Sequence, residues 1–125
     1  MLCVIAYRGE RGSNAEIVAR SLDTNPVVVR RMLKKMEQHG LVQIRPGKDG
    51  GVQLALRPSE INLEQIYKAV EEETAVFALR QSGNPECAVD TRMRDLLSPI
   101  FAATDSAVGR TLRRTTLSSL VKDIA

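Results

Sequence analysis

The spacing of apolar residues changes at Gly40, and this change restricts the possible fold more than any other feature of the chain. After Gly40, over residues 41–57, apolar and polar residues alternate as they do in strands with one buried face. Glycine itself suits the left-handed cap that ends a helix. Before Gly40, residues 26–39 carry apolar side chains at the three- and four-residue intervals of one helical face, namely Val29, Met32, Leu33 and Met36.

Two shorter helices are predicted ahead of this point. Residues 1–8 read as an apolar helix that ends at a glycine-flanked break. Residues 13–16 match a capping box, in which we expect the Ser13 side chain to accept a hydrogen bond from the N–H three residues on and Glu16 to reach back. The helix that follows runs to about Leu22.

The connection to the third helix is only three residues long. Asn25 suits an N-cap, and Pro26 suits the first helical position because the N–H that proline lacks would be unpaired there. Beyond this helix, glycine-rich residues 47–51 separate two alternating runs, 41–46 and 52–57, which predicts a β-hairpin. Two helices joined by a tight turn and followed by a hairpin form a winged helix-turn-helix.

The second half of the chain is predicted to be helical. Residues 62–65 match another capping box, residues 74–88 are irregular, and a long apolar helix begins at Val89. Pro99 should kink or divide that helix, and a short helix follows Thr116. We therefore expect a mainly α-helical fold with a small β-hairpin. Its parts are a winged helix-turn-helix (residues 1–60), a connecting helix and loop (61–88), and a dimerisation helix with a C-terminal tail (89–125).

Basic side chains are concentrated in the helix-turn-helix and hairpin. Residues 20–57 hold eight Lys or Arg and three Asp or Glu, although the whole chain carries a net charge of only +3. Winged helices lay the second helix of the motif in the DNA major groove. The alternative for this face is an ordinary solvated surface, but we predict double-stranded DNA as the partner. The candidate DNA-binding residues are Asn25, Pro26, Val27, Arg30, Arg31, Lys34, Lys35 and Lys48.

The apolar stripe of the long helix needs a partner that covers it. Packing on the chain's own winged domain is one explanation. The other, which we favour, is a two-fold homodimer that places two recognition helices about one DNA turn apart. The candidate dimerisation residues are Val89, Met93, Leu96, Leu97, Ile100, Phe101 and Val108.

Several other classes of protein are disfavoured. No apolar run approaches the length of about 18 residues that a membrane helix needs, and the N-terminus is a poor signal peptide, so we expect a cytoplasmic protein without a membrane partner. The single His39, beside a helix end, is typical of a cap, and no phosphate-binding loop is present, so an enzyme is the weakest option. A winged-helix regulatory subunit that binds a protein instead of DNA is the alternative function.

Several short segments form a combination that covers nearly the whole chain. They are residues 15–19, 25–32, 40–42, 47–51, 61–63, 69–71 and 84–87. Together with the long helix they resemble the Rrf2 (Rrf-two) family, the bacterial winged-helix regulators that include IscR, NsrR and CymR, and most of all its YwnA-like branch. The resemblance implies a dimeric transcriptional regulator, usually a repressor, that reads a palindromic operator.

The sequence departs from this family in three places. Cluster-binding members carry three cysteines near the start of the dimer helix, whereas here only Cys87 lies there and Cys3 is remote, so we expect no iron–sulfur cluster, no metal and no cofactor. Cys87 is either a small apolar loop residue or a thiol sensor, and Cys3 is a core residue. The hairpin reads Gly51-Val52-Gln53 where the family often has Gly-Gly-Tyr-Arg. The first helix is one or two turns shorter than usual.

Overall fold

The computed structural model describes residues 1–71, 75–77 and 83–124 of the 125 residues. Over these residues the chain forms three helices, a two-stranded antiparallel hairpin and three further helices, which confirms the predicted mainly helical fold. The elements are α1 (Leu2–Arg8), α2 (Ala15–Ser21), α3 (Pro26–Gln38), β1 (Val42–Arg45), β2 (Gly51–Leu54), α4 (Leu63–Val70), α5 (Ala88–Arg113) and α6 (Leu117–Ile124).

The start of α2 lies one residue later than the predicted capping box. Asn14, with extended backbone, is the N-cap, and its Oδ1 accepts the N–H of Ile17 at 2.8 Å. Ser13 is buried, and its hydroxyl has no hydrogen-bond partner. Glu16 pairs with Arg30 on α3. The capping box predicted at Ser13 is therefore wrong, since neither side chain makes the contact that the motif requires.

Helix α3 begins and ends as predicted, to within one residue. Asn25 Oδ1 accepts the N–H of Val27 at 2.9 Å, and Pro26 is the first helical residue. Gly40 has φ +72°, the left-handed conformation that glycine adopts without steric conflict. His39 follows the last helical residue, and its Nδ1 lies 3.0 Å from the carbonyl oxygen of Lys35. The confirmed boundaries fix which residues of α3 face outward.

The hairpin is shorter than the predicted alternation, and its loop covers residues 46–50. Val42 pairs with Leu54 and Ile44 with Val52 in the antiparallel register. The N–H of Val52 also donates to the carbonyl oxygen of Ser13 at 2.8 Å, which ties the hairpin to the start of α2. A Cβ at Gly51 would lie 2.5 Å from that same oxygen, so only glycine fits there.

The core is aliphatic, and aromatic residues make up only 3% of the sequence. It is built mainly by the winged part, but α6 completes it, because Leu117 is 1% exposed and its N–H donates to the carbonyl oxygen of Ile61 at 2.8 Å. Helix α6 packs against α1. The region predicted as dimerisation helix and tail thus also supplies core. The buried apolar residues are Leu2, Ile5, Val18, Ala19, Val29, Leu33, Met36, Leu41, Val42, Val52, Ile61, Ala69 and Leu117.

Helix α4 starts at the predicted capping box. Asn62 Oδ1 accepts the N–H of Gln65 at 3.0 Å, and Gln65 Oε1 accepts the N–H of Asn62 at 2.7 Å. The irregular stretch predicted over residues 74–88 lies partly outside the described residues. Within them, the N–H of Cys87 donates to the carbonyl oxygen of Asn84 at 3.0 Å, in a turn that leads into α5.

Helix α5 is continuous over 26 residues and includes Pro99. At 1.5 Å per residue it is about 39 Å long. Of the two effects expected of Pro99, division of the helix is wrong, and a kink stays a prediction. Proline removes one hydrogen bond and disturbs one turn, while the intact ladder on both sides keeps the helix in one piece. The short helix expected after Thr116 is confirmed as α6.

Candidate nucleic-acid interface

The outward face of α3 is cationic and open to solvent. Arg31 and Lys34 are exposed, and Val27 in the first turn is 65% exposed. This follows from the helical period, since Val29, Leu33 and Met36 turn the opposite face into the core. The first turn has no acidic residue, and its Asn25 cap is also exposed.

A cleft of about 480 Å³ separates α3 from the start of α2 and from the hairpin. Its charged side chains are mostly basic, although two carboxylates are present. The basic residues that line it are Arg30, Lys34, Arg45 and Lys48, and the acidic ones are Glu16 and Glu37. An excess of positive charge between a helix and a hairpin is the arrangement with which winged helices hold a polyanion.

Each carboxylate in this cleft has a specific partner. Glu37 Oε1 accepts the N–H of Ile44 at 3.1 Å and so holds β1 against α3. Glu16 Oε1 accepts from Nη2 of Arg30. Arg30, predicted from the sequence as a free DNA contact, is therefore engaged by a side chain from another helix.

Apart from Arg30, the predicted DNA-binding residues lie on α3, at its start or in the hairpin loop. Asn25, Pro26, Val27, Arg31 and Lys34 lie at the start or on the outer side of α3, and Lys48 lies exposed in the hairpin loop. Lys35 is half-buried, at the edge of this face. Their contacts with DNA stay predictions.

Sequence reasoning missed three features of this surface. Arg45 is exposed at the end of β1 and lines the cleft, and the strand alternation that exposes Gln43 could have indicated it. Gln43 and Gln53 form a cross-strand pair on the outer face of the hairpin, with Gln53 Nε2 donating to Gln43 Oε1 at 3.1 Å. The contact between Glu16 and Arg30 joins residues 14 apart and has no local sequence signal.

The apolar residues of α5 occupy two faces instead of one. Val89, Met93, Leu96 and Ile100 are exposed, with Val89 at 70% and Ile100 at 57%. Phe101, by contrast, stacks on Phe77 of its own chain, with ring centroids 5.1 Å apart. Leu97 and Val108 are half-buried, and Val108 lines a cavity between α4 and α5. The structure thus leaves a narrower apolar face uncovered than the sequence predicts.

An ion-pair network fixes α5 to α4. Glu64 accepts Nζ of Lys68 at 2.9 Å, and its other oxygen accepts Nε and Nη2 of Arg113 at 2.9 and 2.7 Å. Hydrogen bonds from Lys68 and then Arg113 hold the pKa of Glu64 below its ordinary value. The C-terminal end of α5 therefore keeps a defined position against α4.

The two cysteines lie in different parts of the structure. Cys3 is half-buried in α1 and packs on the core, as predicted. Cys87 is half-buried at the N-cap position of α5, where its side chain makes no capping hydrogen bond. Both readings of Cys87, loop residue and thiol sensor, stay predictions. Among residues 1–71, 75–77 and 83–124, no group of three or more His, Cys, Asp or Glu side chains could hold a metal ion.

Membrane insertion finds no support in the described helices. None of them combines sufficient length and apolar character to span a bilayer.

Known transcriptional regulators are similar to this chain, and three of them illustrate the likeness. YwnA of Bacillus subtilis (strain 168), named as an HTH-type transcriptional regulator, is 32% identical over 112 residues, which cover 90% of this chain and 80% of YwnA. A Lactobacillus plantarum structure, named as a transcriptional regulator, matches with a TM-score of 0.73 and 25% identity over 90% of this chain and 77% of that one. CymR, the global cysteine regulator of B. subtilis, matches with a TM-score of 0.68 and 20% identity, and the match covers 97% of this chain and 87% of the CymR chain. At that identity the likeness to CymR shows the fold alone.

The family assignment rests on almost the entire chain. Residues 1–123 match the Rrf2 family, described as iron-dependent transcriptional regulators. The resemblance inferred from the sequence is thereby confirmed, and the relatives are regulators, not enzymes. This chain belongs to the Rrf2 family of winged-helix, DNA-binding transcriptional regulators.

Proposed function

We propose that this regulator is a homodimeric repressor that binds a palindromic operator through α3 and the hairpin, without an iron–sulfur cluster. The observation that carries the proposal is the cationic outer face of α3, which borders a basic cleft under the hairpin. A DNA regulator of this kind works where bacterial chromosomal DNA lies, in the cytoplasm.

The residues of the DNA surface take different roles in this proposal. Arg31 and Lys34 lie on the outer face of α3 and enter the major groove, where they contact base edges or phosphates. The start of α3, at Asn25, faces a phosphate with the positive end of the helix dipole. Lys48 and Arg45 contact the phosphates of the DNA backbone beside the hairpin.

The uncovered face of α5 supports the homodimer. Its four exposed residues, Val89, Met93, Leu96 and Ile100, recur at helical spacing along about half the helix. A contiguous apolar strip of this kind marks a protein interface, because leaving it in water is unfavourable. A second copy of α5 offers the same strip in a two-fold arrangement, and that symmetry matches the symmetry of a palindromic operator.

The thiol content supports a cluster-free protein, although the family is described as iron-dependent. A cluster is held by about four protein ligands, mostly cysteine thiolates. The chain has two cysteines, and they lie in α1 and at the start of α5. These residues do not fit a cluster, so we expect a colourless protein. Visible absorption and iron content after anaerobic purification test this, and stoichiometric iron with a cluster spectrum would overturn it.

The DNA surface is tested by selecting bound fragments from a genomic pool and measuring affinity for the selected duplex. We expect salt-sensitive, sequence-selective binding by the wild type. The triple variant R30A/R31A/K34A should lose at least 100-fold in affinity, about 1 kcal/mol or more per contact, while keeping its far-UV circular dichroism. Unchanged binding by the triple variant would refute this groove assignment. Absence of any selective DNA binding would favour the alternative, a winged-helix subunit that binds a protein.

The dimer is tested by placing charge on the uncovered face of α5. Leu96→Asp and Ile100→Asp should each give monomers in sedimentation velocity, because a buried unpaired carboxylate is strongly unfavourable in an interface. Ser98→Asp is the matched control, since residue 98 is exposed and lies on the opposite side of the helix from both. Dimers that persist in both apolar variants would place the interface elsewhere.

Repression itself needs a separate measurement. In transcription from a promoter that contains the selected operator, added protein should lower the transcript level. A rise in transcript would identify an activator instead.

A further inference from the structure

We infer that Glu16 is a specificity-determining residue, which positions Arg30 for reading a base and weakens binding to unrelated DNA. The inference rests on the proposed DNA surface and assigns a role to a residue outside the recognition helix.

The contact joins two helices whose starts are both fixed. Glu16 lies in the first turn of α2, and Arg30 lies on α3, in the second turn. The α2 end is capped by Asn14, the α3 end by Asn25, and the helices pack through fully buried Val18 and Val29. The backbones of α2 and α3 are therefore held in place without the ion pair, and the ion pair determines only the orientation of the Glu16 and Arg30 side chains.

The pair is open to a bound ligand. The Arg30 side chain is 56% exposed and that of Glu16 is 53% exposed, and both line the cleft beside α3. A solvent-exposed ion pair contributes little to folding stability, about 0–1 kcal/mol. Stability is therefore a weak reason for an acidic residue in a cleft otherwise suited to a polyanion.

The other carboxylate in the cleft has a structural task. Glu37 accepts the backbone N–H of Ile44 and holds the hairpin in place. Glu16 makes no contact of that kind, since its oxygen accepts from the Arg30 guanidinium. The arrangement thus joins an acidic side chain to an arginine that lines the cleft.

The chemistry of the guanidinium explains the effect. Arginine has five N–H donors in a planar fork, and the contact with Glu16 uses Nη2, which leaves other donors for O6 and N7 of a guanine. A guanidinium held in one orientation loses less entropy when it binds the base. At the same time, the Glu16 charge repels phosphates that approach the cleft, so it penalises contacts that carry no sequence information.

The test compares the affinities of wild type, Glu16→Ala and Glu16→Gln for the selected operator and for a scrambled duplex of equal length. We expect both variants to bind the scrambled duplex several-fold more tightly. The ratio of the two affinities should fall about tenfold, which corresponds to the loss of one oriented base contact. The double variant E16A/R30A should show nearly the same ratio as R30A alone, because the oriented base contact requires Arg30 and the repulsion of phosphates acts on both duplexes.

Asp123→Asn is the matched control, because it removes the same charge from an exposed position on α6. Asp123→Asn should leave the ratio of operator affinity to scrambled-duplex affinity unchanged. If Glu16→Ala tightens binding to both duplexes equally, Glu16 is a general charge and the inference is wrong. If Arg30→Ala alters neither affinity, Arg30 does not read DNA and the inference is also wrong. Failure of the proposed DNA surface would appear separately, as unchanged binding by the R30A/R31A/K34A variant.

Discussion

Replacement of Asn25 by aspartate separates the folding role of this residue from its proposed role at the DNA. In the folded chain Asn25 Oδ1 accepts the N–H of Val27 at 2.9 Å. Aspartate caps helices about as well as asparagine, and its charge interacts favourably with the helix dipole by about 0.3–1 kcal/mol. Asn25→Asp should therefore be as stable as wild type or slightly more stable, whereas Asn25→Ala should lose about 1 kcal/mol.

The same aspartate should weaken DNA binding. If a phosphate lies at the start of α3, the new carboxylate stands roughly 4 Å from it, where two like charges repel by about 1 kcal/mol in water and about 4 kcal/mol at an effective dielectric constant of 20. An intermediate value of about 2 kcal/mol corresponds to about a 30-fold loss of affinity for each half-site. The effect should diminish at high salt, because screening weakens the repulsion.

Asn62→Asp provides a matched control. Asn62 caps α4 in the same way, with Oδ1 accepting the N–H of Gln65 at 3.0 Å, but it lies outside the helix-turn-helix formed by α2 and α3. Urea unfolding followed by circular dichroism reports stability, since the chain has no tryptophan, and fluorescence anisotropy of a labelled operator reports affinity. Wild-type operator affinity in Asn25→Asp, with its fold intact, would refute the placement of a phosphate at this helix end.

Two further predictions concern stability. Leu117→Ala should lower the free energy of unfolding by about 3 kcal/mol, because it opens a cavity in the core. Ile124→Ala, on the exposed part of α6, should change that free energy by less than about 0.5 kcal/mol. Equal effects of the two variants in urea unfolding would contradict the core position of Leu117. Hydrogen bonds from Lys68 and Arg113 lower the pKa of Glu64. The contribution of Glu64 to the free energy of unfolding is therefore complete above the ordinary pKa of glutamate and is lost as the pH falls through the lowered pKa. The difference in unfolding free energy between wild type and Glu64→Gln should therefore be larger at pH 7 than at about pH 3, and a difference independent of pH would contradict the ion-pair network.

The features that the sequence predicts correctly have local signals. The Asn25–Pro26 helix start, the Gly40 cap and the capping box at Asn62 each depend on residues within four positions of one another. The hairpin follows from two-residue alternation around a glycine-rich loop, although the ends of its strands are misplaced by one to three residues. Such signals work because the hydrogen bonds and backbone angles that they reflect form within a single turn.

The features that the sequence misplaces depend on contacts between distant segments. Ser13 and Asn14 are both acceptable caps, and the choice of Asn14 accompanies the tie between the Ser13 carbonyl and Val52 of the hairpin. Arg30 looks like a free cation until α2 brings Glu16 beside it. Phe101 belongs to the apolar pattern of α5 but stacks on Phe77. In each case the side chain has a local role available, and tertiary packing selects another.

Pro99 gives α5 a mechanical property that a fully bonded helix would lack. Because proline has no N–H, the carbonyl of Asp95 has no donor from the next turn, and the bending stiffness of the helix is lowest there. The segment from this point to Arg113 is about 21 Å long, so a rotation of about 5° at Pro99 displaces its far end by about 2 Å. That end is held to α4 by the ion pair between Arg113 and Glu64, so bending at Pro99 moves α4 together with it. In the proposed homodimer, such a bend would adjust the spacing of the two recognition helices along the DNA.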